Sequence, residues 1–330
     1  MRSLINQADN PVYQEKISIK HFHGWAKSVI GSLPNPCWYS EDESSGQYEK
    51  DVSHALQRKI DTLTLTEKWD AILIDEAHTF DSSWFNCCVN ALKDSENGNL
   101  MIVADGTQSL YQRKKFSWKS VGVKAVGRSR KLTQNYRNTQ EIVSAAWAVV
   151  ASDIENSEEI EDLDATFPLV KPQDCLRKGK VPILKTMKSS QQQNEILIGD
   201  IQKCLVNYQP HELAIIYKCV AEKESNNFND LKNQLTDLNI PFYDIQKNKS
   251  EFNIKESGIR MVTAKSSLGL EFKVVFIIWV QMFGINEAES KTELYVAMTR
   301  AQEELYLYGS GGFDFMNSLA SNPYLQVIQK

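Results

Sequence analysis

The chain has 330 residues, of which 42% are hydrophobic and 24% charged, a composition typical of a globular protein with room for two domains of ordinary size. A formal net charge of −5 argues against a protein that coats nucleic acid non-specifically, because such binding needs Lys and Arg to neutralise phosphates. The sequence contains no run of roughly 18 apolar residues and no cationic-then-apolar signal at its start, so we expect a cytoplasmic location without membrane contact.

Short apolar runs alternate with stretches of helical period along most of the chain. The predicted strands cover 71–74, 100–104, 212–217, 259–263, 273–280 and 304–308. The predicted helices cover 82–93, 139–151, 191–206, 227–238 and 289–301. This alternation predicts an α/β fold with parallel, doubly wound sheets. A segment rich in Pro, Ser, Gly and acids, residues 34–51, is predicted to be an exposed loop or small insertion.

Two carboxylates, Asp75 and Glu76, close the first apolar run. The carboxyl ends of parallel strands open onto the crevice where α/β proteins bind ligands. There Asp75 can hold Mg²⁺ through water, and Glu76 can orient or deprotonate the water that attacks a nucleotide. Gln108 follows the next apolar run and can sense a γ-phosphate or the attacking water.

A phosphate-binding loop should accompany these carboxylates, with the pattern G-x-x-x-x-G-K-[ST]. The sequence contains no such pattern. Its one Gly-Lys pair, Gly179-Lys180, is followed by Val181 and has Asp174 in place of the first glycine. The sequence therefore contains half of a nucleotide site.

Two arginines are candidates for contact with phosphates. Arg137 stands at the start of a predicted helix, where a cation opposes the helix dipole unless an anion such as phosphate lies nearby. Arg300 lies off the centre of a helix's apolar face, either as a surface charge or as a finger that reaches a phosphate. Tyr136 either offers a stacking face to a base or packs in the core.

The stretch between Asp105 and Glu141 carries basic and aromatic residues but no acid, which is typical of either a single-strand track or a solvated basic face. Metal ligands are not indicated. The six cysteines show no C-x-x-C spacing and are interpreted as reduced thiols. His21 and His23 would share a face in an extended segment, as packing residues or as ligands.

Taken together, these blocks resemble the UvrD/Rep-type superfamily 1 helicases, which are ATPases that move 3′ to 5′ along DNA. Asp75-Glu76 resembles motif II of that family, and the other blocks follow in the family's order. They are residues 19–24 (motif Ib), 106–111 (motif III), 134–139 (motif IV), 263–272 (motif V) and 295–301 (motif VI). Residues 211–218 are similar to the first strand of the family's second RecA-like domain.

The resemblance implies two RecA-like parallel-sheet domains of the P-loop NTPase type, the first of them incomplete. The implied first domain spans residues 1–151, with a small insertion at about 34–60, and the second spans 181–330. Residues 152–180 are acidic and then Pro-containing, and they fit either a linker or a charged loop inside one domain.

The resemblance also implies contacts to ATP, Mg²⁺ and DNA. Asp75 is the implied Mg²⁺ ligand and Glu76 the residue that acts on water. The implied γ-phosphate contacts are Gln108, Arg137 and Arg300. Tyr136 is implied to stack on adenine, with Gly269 and Glu271 near the ribose or the phosphate-sensing network. The implied contacts to single-stranded DNA are Phe22, His23, Tyr111, Thr263 and Lys265.

Motif I of the family, with its phosphate-binding lysine, should precede residue 19 and is not in the sequence. One hypothesis is that the chain is part of an ATP-dependent helicase or translocase acting on single-stranded or partly duplex DNA, with the phosphate loop supplied by a separate polypeptide or encoded upstream. The alternative is a catalytically inactive nucleic-acid- or partner-binding module. Without the lysine, ATP binding and transition-state stabilisation both weaken, so we expect no hydrolysis by this chain alone.

Overall fold

The computed structural model describes residues 15–35, 44–77, 80–104, 118–130, 134–155, 171–220, 224–245, 257–284, 287–310 and 314–329. The chain divides into two compact units. Of the described residues, the first unit contains those up to 104 and those from 118 to 129, and the second contains residue 130 and all that follow. Across the described ranges, no helix is long and apolar enough to cross a membrane.

The first unit is built on a small parallel sheet. Its described elements are α1 (Phe22–Ile30), α2 (Ser44–Ile60), β1 (Ala71–Ile74), α3 (Ser82–Asn90) and β2 (Asn99–Ile102), with 3₁₀ turns at Leu65–Glu67 and Trp118–Val121. Strands β1 and β2 pair in parallel, with Leu73 opposite Met101. Asp81 caps α3, because its carboxylate accepts the backbone N–H of Ser83 at 2.9 Å. The predicted strand–helix–strand order of this segment is confirmed.

Of the two alternatives for residues 34–51, the exposed loop is wrong from residue 44 onward, where α2 begins, and the small insertion stays a prediction. Val52, Leu56 and Ile60 recur every four residues and are fully buried, so the helix packs along one apolar stripe. The Ser and Gly residues of its first turn hid this period in the sequence. Residues 36–43 lie outside the described part of the chain.

The sheet of the first unit is packed on one face only. The side chain of Ile74 is 4% exposed, whereas Leu73 is 74% and Met101 57% exposed. Val103, just after β2, is exposed on the same side as Met101. Parallel strands are normally buried on both faces, and residues 71–74 depart from that pattern. All four side chains are apolar, so the sequence could not show which ones face outward.

The second unit contains a seven-stranded sheet with the order β11-β5-β10-β9-β6-β8-β7, in which every neighbouring pair is parallel. Its strands are β5 (Ile183–Met187), β6 (Leu213–Tyr217), β7 (Phe242–Asp244), β8 (Ile259–Thr263), β9 (Phe272–Ile277), β10 (Ala301–Ser310) and β11 (Gln326–Gln329). A separate parallel pair consists of β3 (Asn135–Thr139) and β4 (Cys175–Arg177). The predicted parallel α/β fold is confirmed.

Helices cover both faces of this sheet. They are α4 (Gln140–Glu155), α5 (Ser190–Cys204), α6 (Ser225–Asp237), α7 (Glu287–Thr299) and α8 (Asp314–Ala320), with 3₁₀ turns at Pro172–Asp174, Pro210–Glu212, Lys265–Ser267 and Val280–Gly284. One core joins α4, α7 and α8 to the sheet, and the other joins α5 and α6 to its opposite face.

Helix α4 packs in the second unit, so the division between the two units differs from the predicted boundary. Ile142, Ala146 and Val150 are fully buried in the same core as Leu294 of α7 and Val262 of β8. Residues 134–155 therefore belong to the second compact unit, and the division between units falls near residue 130 rather than after residue 151. Burial of the apolar face of α4 against the second sheet is the physical reason for this difference.

Candidate nucleotide and nucleic-acid site

Asp75 and Glu76 directly follow β1, as predicted. The Asp75 carboxylate accepts the backbone N–H of Glu76 at 3.0 Å, and Glu76 has a φ of 52°. A non-glycine residue rarely adopts this left-handed conformation, which costs on the order of 1–3 kcal/mol and is concentrated at functional sites. Hydrogen bonds fix the turn to the next strand, since Val103 N donates to Ile74 O and Ala77 N donates to Val103 O.

The carboxylate of Asp75 is exposed beyond the strand end. Among the described residues, no group of three or more His, Cys, Asp or Glu side chains could enclose a metal ion. Mg²⁺ does not require such a cage, because it keeps several waters and often binds one or two carboxylates together with substrate phosphates. The residues present therefore fit Mg²⁺ carried by a nucleotide. Gln108 and Tyr111, the neighbouring predicted site residues, lie outside the described residues.

In the second unit, three distant segments meet at one ion pair. A guanidinium nitrogen of Arg137 lies 2.6 Å from Glu271 Oε1, and both side chains are partly exposed. Gln302 Nε2 donates to the other Glu271 oxygen at 2.7 Å. Arg177 Nη1 donates to the carbonyl oxygen of Arg137 at 2.7 Å. The structure thus brings two predicted site residues together and adds two that sequence reasoning missed, Arg177 and Gln302.

Tyr136 lies beside this pair in the chain. Its ring is 66% exposed, so the possibility that it packs in the core is wrong. Its hydroxyl donates to the side-chain oxygen of Gln134. An exposed ring beside a guanidinium can stack on a planar base.

Asn138 is a third residue that sequence reasoning missed. Its side-chain amide donates to the carbonyl oxygens of Thr299 and Ala301, at 2.8 and 2.6 Å, on either side of Arg300. Asn135 Nδ2 donates to Asn138 Oδ1 at 3.1 Å, and Asn135 Oδ1 accepts the backbone N–H groups of Arg137 and Asn138. One network therefore positions the backbone of both predicted phosphate arginines.

Arg300 is only 1% exposed, so the alternative that it is a surface charge is wrong. Its Nε donates to Val296 O at 3.1 Å, Nη1 to Leu270 O at 3.3 Å and Nη2 to the Thr299 hydroxyl at 3.4 Å. The guanidinium lies inside its own unit. Its hydrogen bond to Leu270 O connects the loop before β9 to the start of β10. Contact between Arg300 and a phosphate stays a prediction.

The predicted nucleic-acid residues Thr263 and Lys265 lie at the carboxyl end of β8. Thr263 Oγ1 accepts the backbone N–H of Ser266 at 3.2 Å. Lys265 Nζ lies 3.1 Å from the buried carboxylate of Glu293 on α7. Lys218 follows β6, whose Tyr217 is paired with Thr263, and its amine donates to Ser290 of α7. Lys218 was not among the predicted site residues. The sequence signal that could have indicated it is a cation directly after a buried strand.

The two groups of candidates lie at opposite ends of one sheet. Residues 264–271 leave the carboxyl end of β8 and return to the amino end of β9, where the backbone N–H of Phe272 donates to Arg300 O at 3.0 Å. Gly269 has a φ of 73°, a conformation that favours glycine, in the turn before Glu271. The crossover thus connects Thr263 and Lys265 to Glu271.

Phe22 and His23 of the first unit have different surroundings. Phe22 is 7% exposed, and its ring stacks on Trp84 at a centroid distance of 4.1 Å. The expected contact between Phe22 and DNA is therefore not supported, since its ring faces are buried in an aromatic core. His23 is partly exposed, 3.0 Å from a Glu49 oxygen, with its ring stacked on Tyr48 at 5.8 Å.

The Gly179-Lys180 pair has a structural role. The backbone N–H of Gly179 donates to Glu141 Oε2 at 2.7 Å. Lys180 Nζ donates to Glu304 Oε1 at 2.6 Å, and this bond raises the pKa of Lys180. Both groups therefore bind carboxylates of their own unit.

With seven parallel strands and helices on both faces, the second unit is a doubly wound α/β domain, a class in which ligands bind outside the carboxyl ends of the strands. Residues 258–308, which extend from β8 into β10, match the UvrD-like helicase C-terminal domain. Thr263, Glu271 and Arg300 lie within the matched segment.

Two solved structures show weak similarity. The C-terminal domain of a possible DNA helicase from Lactobacillus plantarum WCFS1 is 16% identical, with 58% of this chain and 98% of that chain covered and a TM-score of 0.42. The arterivirus nonstructural protein 10 helicase in complex with DNA is 13% identical, with 45% of this chain and 35% of that chain covered and a TM-score of 0.31. No curated protein matches the sequence.

Proposed function

We propose that the chain is part of an ATP-dependent 3′-to-5′ DNA helicase or translocase, which binds single-stranded or partly duplex DNA and couples ATP hydrolysis to movement along it. The observation that carries this proposal is the junction of residues 134–139, 268–271 and 299–302 through Arg137, Glu271 and Asn138. Two of these three segments lie inside the part that matches the helicase domain.

The proposed roles follow the chemistry of the side chains. Asp75 holds Mg²⁺ and Glu76 acts on the attacking water, which a carboxylate can orient or deprotonate. The proposed contacts to the nucleotide are Gln108, Tyr136, Arg137, Gly269, Glu271 and Arg300. His23, Tyr111, Thr263 and Lys265 contact the DNA strand.

A further polypeptide segment supplies the phosphate-binding loop in this proposal. This part of the proposal is supported by the solvent-exposed face of the first sheet, where the apolar side chains of Leu73, Met101 and Val103 are exposed. Parallel sheets are normally covered on both faces, and a two-stranded sheet alone is marginal. A strand–loop–helix segment would both cover this surface and bring backbone N–H groups and a lysine to the end of β1.

The second candidate function is a nucleic-acid- or partner-binding module without ATP hydrolysis. The burial of Arg300 favours it, since the guanidinium is 1% exposed and donates to Val296, Leu270 and Thr299 of its own unit. It differs from the first candidate in predicting DNA binding without any turnover.

The test combines DNA binding with ATP turnover. We expect the purified chain to bind a single-stranded oligonucleotide, with affinity that falls as salt rises. ATP turnover should appear when a segment carrying G-x-x-x-x-G-K-[ST], encoded upstream or in a neighbouring gene, is co-expressed. Glu76→Gln should then reduce turnover at least about 100-fold, while the exposed control Asp61→Asn should not.

Each outcome separates the candidates. DNA binding without turnover in every combination would favour the inactive module. Turnover by the chain alone, lost in Glu76→Gln, would contradict the need for a further segment. Leu73→Lys with Met101→Lys should leave the chain's own stability within about 0.5 kcal/mol, because both side chains are already exposed, yet prevent capture of the segment. Absence of DNA binding would reject the helicase and the DNA-binding form of the module, and would leave only a partner-binding module.

A further inference from the structure

The Arg137–Glu271 pair places a carboxylate where a phosphate would bind the guanidinium. Carboxylates and phosphates both accept paired hydrogen bonds from the planar N–H groups of arginine. Glu271 Oε1 already occupies such a place, 2.6 Å from Nη2 of Arg137. An anion that takes the same N–H group has to displace this oxygen.

The carboxylate is also held in place by its surroundings. Gln302 donates to Glu271 Oε2, and Arg300 Nη1 donates to the carbonyl of Leu270, the preceding residue. The pair itself stays in contact with water, since the side chain of Arg137 is 40% exposed and that of Glu271 is 35% exposed. An anion from solution can therefore reach the guanidinium and exchange with the carboxylate.

We propose that Glu271 is a built-in competitor for phosphate at Arg137, and that Gln302 is the positioning residue that keeps it there. The anion is the polyphosphate of a nucleotide, so the inference rests on the proposed function for its choice of ligand. Binding at Arg137 then requires the ion pair to open, and the free energy of that opening is subtracted from the affinity. The pair therefore weakens polyphosphate binding, because the Glu271 carboxylate has to leave Arg137 first.

The experiment measures binding of inorganic tripolyphosphate to the full chain by titration calorimetry at constant ionic strength. Tripolyphosphate has no ribose or base, and its binding requires no turnover, so failure of the ATPase proposal would not affect the result. Glu271→Gln keeps the shape of the side chain and should raise the affinity about three- to tenfold. Arg137→Ala should abolish this gain.

Gln302→Leu should produce a smaller gain, about twofold, because Glu271 keeps its charge but loses an anchor. In the Glu271→Gln background, Gln302→Leu should add nothing, since the two residues act through one contact. The matched charge control is Glu195→Gln, which removes an exposed carboxylate of α5 in the same unit.

Three results would overturn the proposal. An equal gain in Glu195→Gln would show that net charge alone is responsible. Unchanged or weaker binding in Glu271→Gln would show that the carboxylate does not compete. The same conclusion follows if neither the wild type nor Glu271→Gln binds tripolyphosphate, with circular dichroism confirming that both are folded. If tripolyphosphate binding rises but ATP binding falls in Glu271→Gln, the carboxylate competes with phosphate and also binds the rest of the nucleotide.

Discussion

The side-chain amide of Asn138 donates a hydrogen bond to the carbonyl oxygen of Thr299 at 2.8 Å. The same nitrogen donates to Ala301 O at 2.6 Å, and Asn138 is 4% exposed. This one side chain therefore connects β3 to the turn between α7 and β10. A buried carbonyl oxygen without a donor is costly, so the contact stabilises the fold. It connects the segment of Arg137 to the segment of Arg300.

Replacement of Asn138 by Ala should therefore destabilise the protein by about 1–3 kcal/mol, because two buried carbonyl oxygens lose their donor. Denaturant unfolding monitored by circular dichroism measures the change. Asn207→Ala is the control, since Asn207 is exposed and its replacement should alter stability by no more than about 0.5 kcal/mol. Equal effects of the two substitutions would contradict the role of Asn138.

The lowered pKa of Asp200 predicts that the stability of the protein falls at acid pH. Burial alone raises the pKa of Asp200, but hydrogen bonds from Lys185 and Tyr308 and the charge of Lys185 outweigh it, and the pKa is lowered. A carboxyl whose pKa is lower in the folded state stabilises the fold above its unfolded pKa, near 3.9, and loses this contribution as pH falls through the folded value.

Asp200→Asn should cost about 3–5 kcal/mol at pH 7, because Lys185 is left buried without its carboxylate. The difference between variant and wild type should shrink below about pH 4, where the Asp200 carboxyl of the unfolded wild-type chain takes up a proton before that of the folded protein does. Urea unfolding at several pH values measures this difference. Lys185→Met with Asp200→Leu should recover much of the loss when combined with Tyr308→Phe, which removes the buried hydroxyl that would otherwise lose its acceptor. A difference that stays constant from pH 7 to pH 3 would contradict the assignment.

The sequence predicted the elements that local patterns determine. The apolar run 259–263 is strand β8, and the predicted helix 139–151 is α4. The position of α4 could not be predicted, because its apolar face fits either sheet and only long-range packing decides between them. Asn138 illustrates the same limit at the site. Its two carbonyl partners lie more than 160 residues away in the chain, and no local pattern marks them.

Arg137 was predicted from its place at a helix start and Glu271 from a family motif, yet their contact was not predicted. It depends on the path of residues 264–271 between the two ends of the sheet. The direction of the Arg300 side chain was missed for a related reason. The sequence placed Arg300 on a predicted helix, whereas in the structure it follows the end of α7, and the carbonyl of Leu270 that accepts from its guanidinium belongs to another segment.

The cysteines should differ strongly in reactivity. Burial raises the pKa of the Cys87 thiol to about 12, so very little of it is the reactive thiolate at pH 8. Burial raises the pKa of Cys204 to about 11. Cys219 is exposed. Maleimide labelling at pH 8, followed by peptide mass spectrometry, should therefore modify Cys219 well before Cys87 or Cys204. The denatured chain, in which all three should label alike, is the control, and equal native rates would refute the assigned burial.

Gly179 packs against a buried threonine, which makes its replacement costly. A Cβ at this position would lie 2.5 Å from Thr139 Cγ2 and 3.1 Å from Thr139 Cβ. Thr139 is 2% exposed at the end of β3 and cannot move into solvent without moving the start of α4. Gly179→Ala should therefore destabilise the protein by about 1–3 kcal/mol. Thermal and urea unfolding measure the change.

Gly199 provides the matched control within the same unit. It lies in α5, and a Cβ there would meet nothing within 4 Å. Gly199→Ala should stabilise the protein by about 0.5–1 kcal/mol, because alanine loses less backbone entropy in a helix. Thr139→Ser removes the methyl group nearest to the new Cβ, so it should rescue part of the Gly179→Ala loss. If both glycine substitutions shift stability in the same direction, or if serine at position 139 gives no rescue, steric conflict with Thr139 is not the cause.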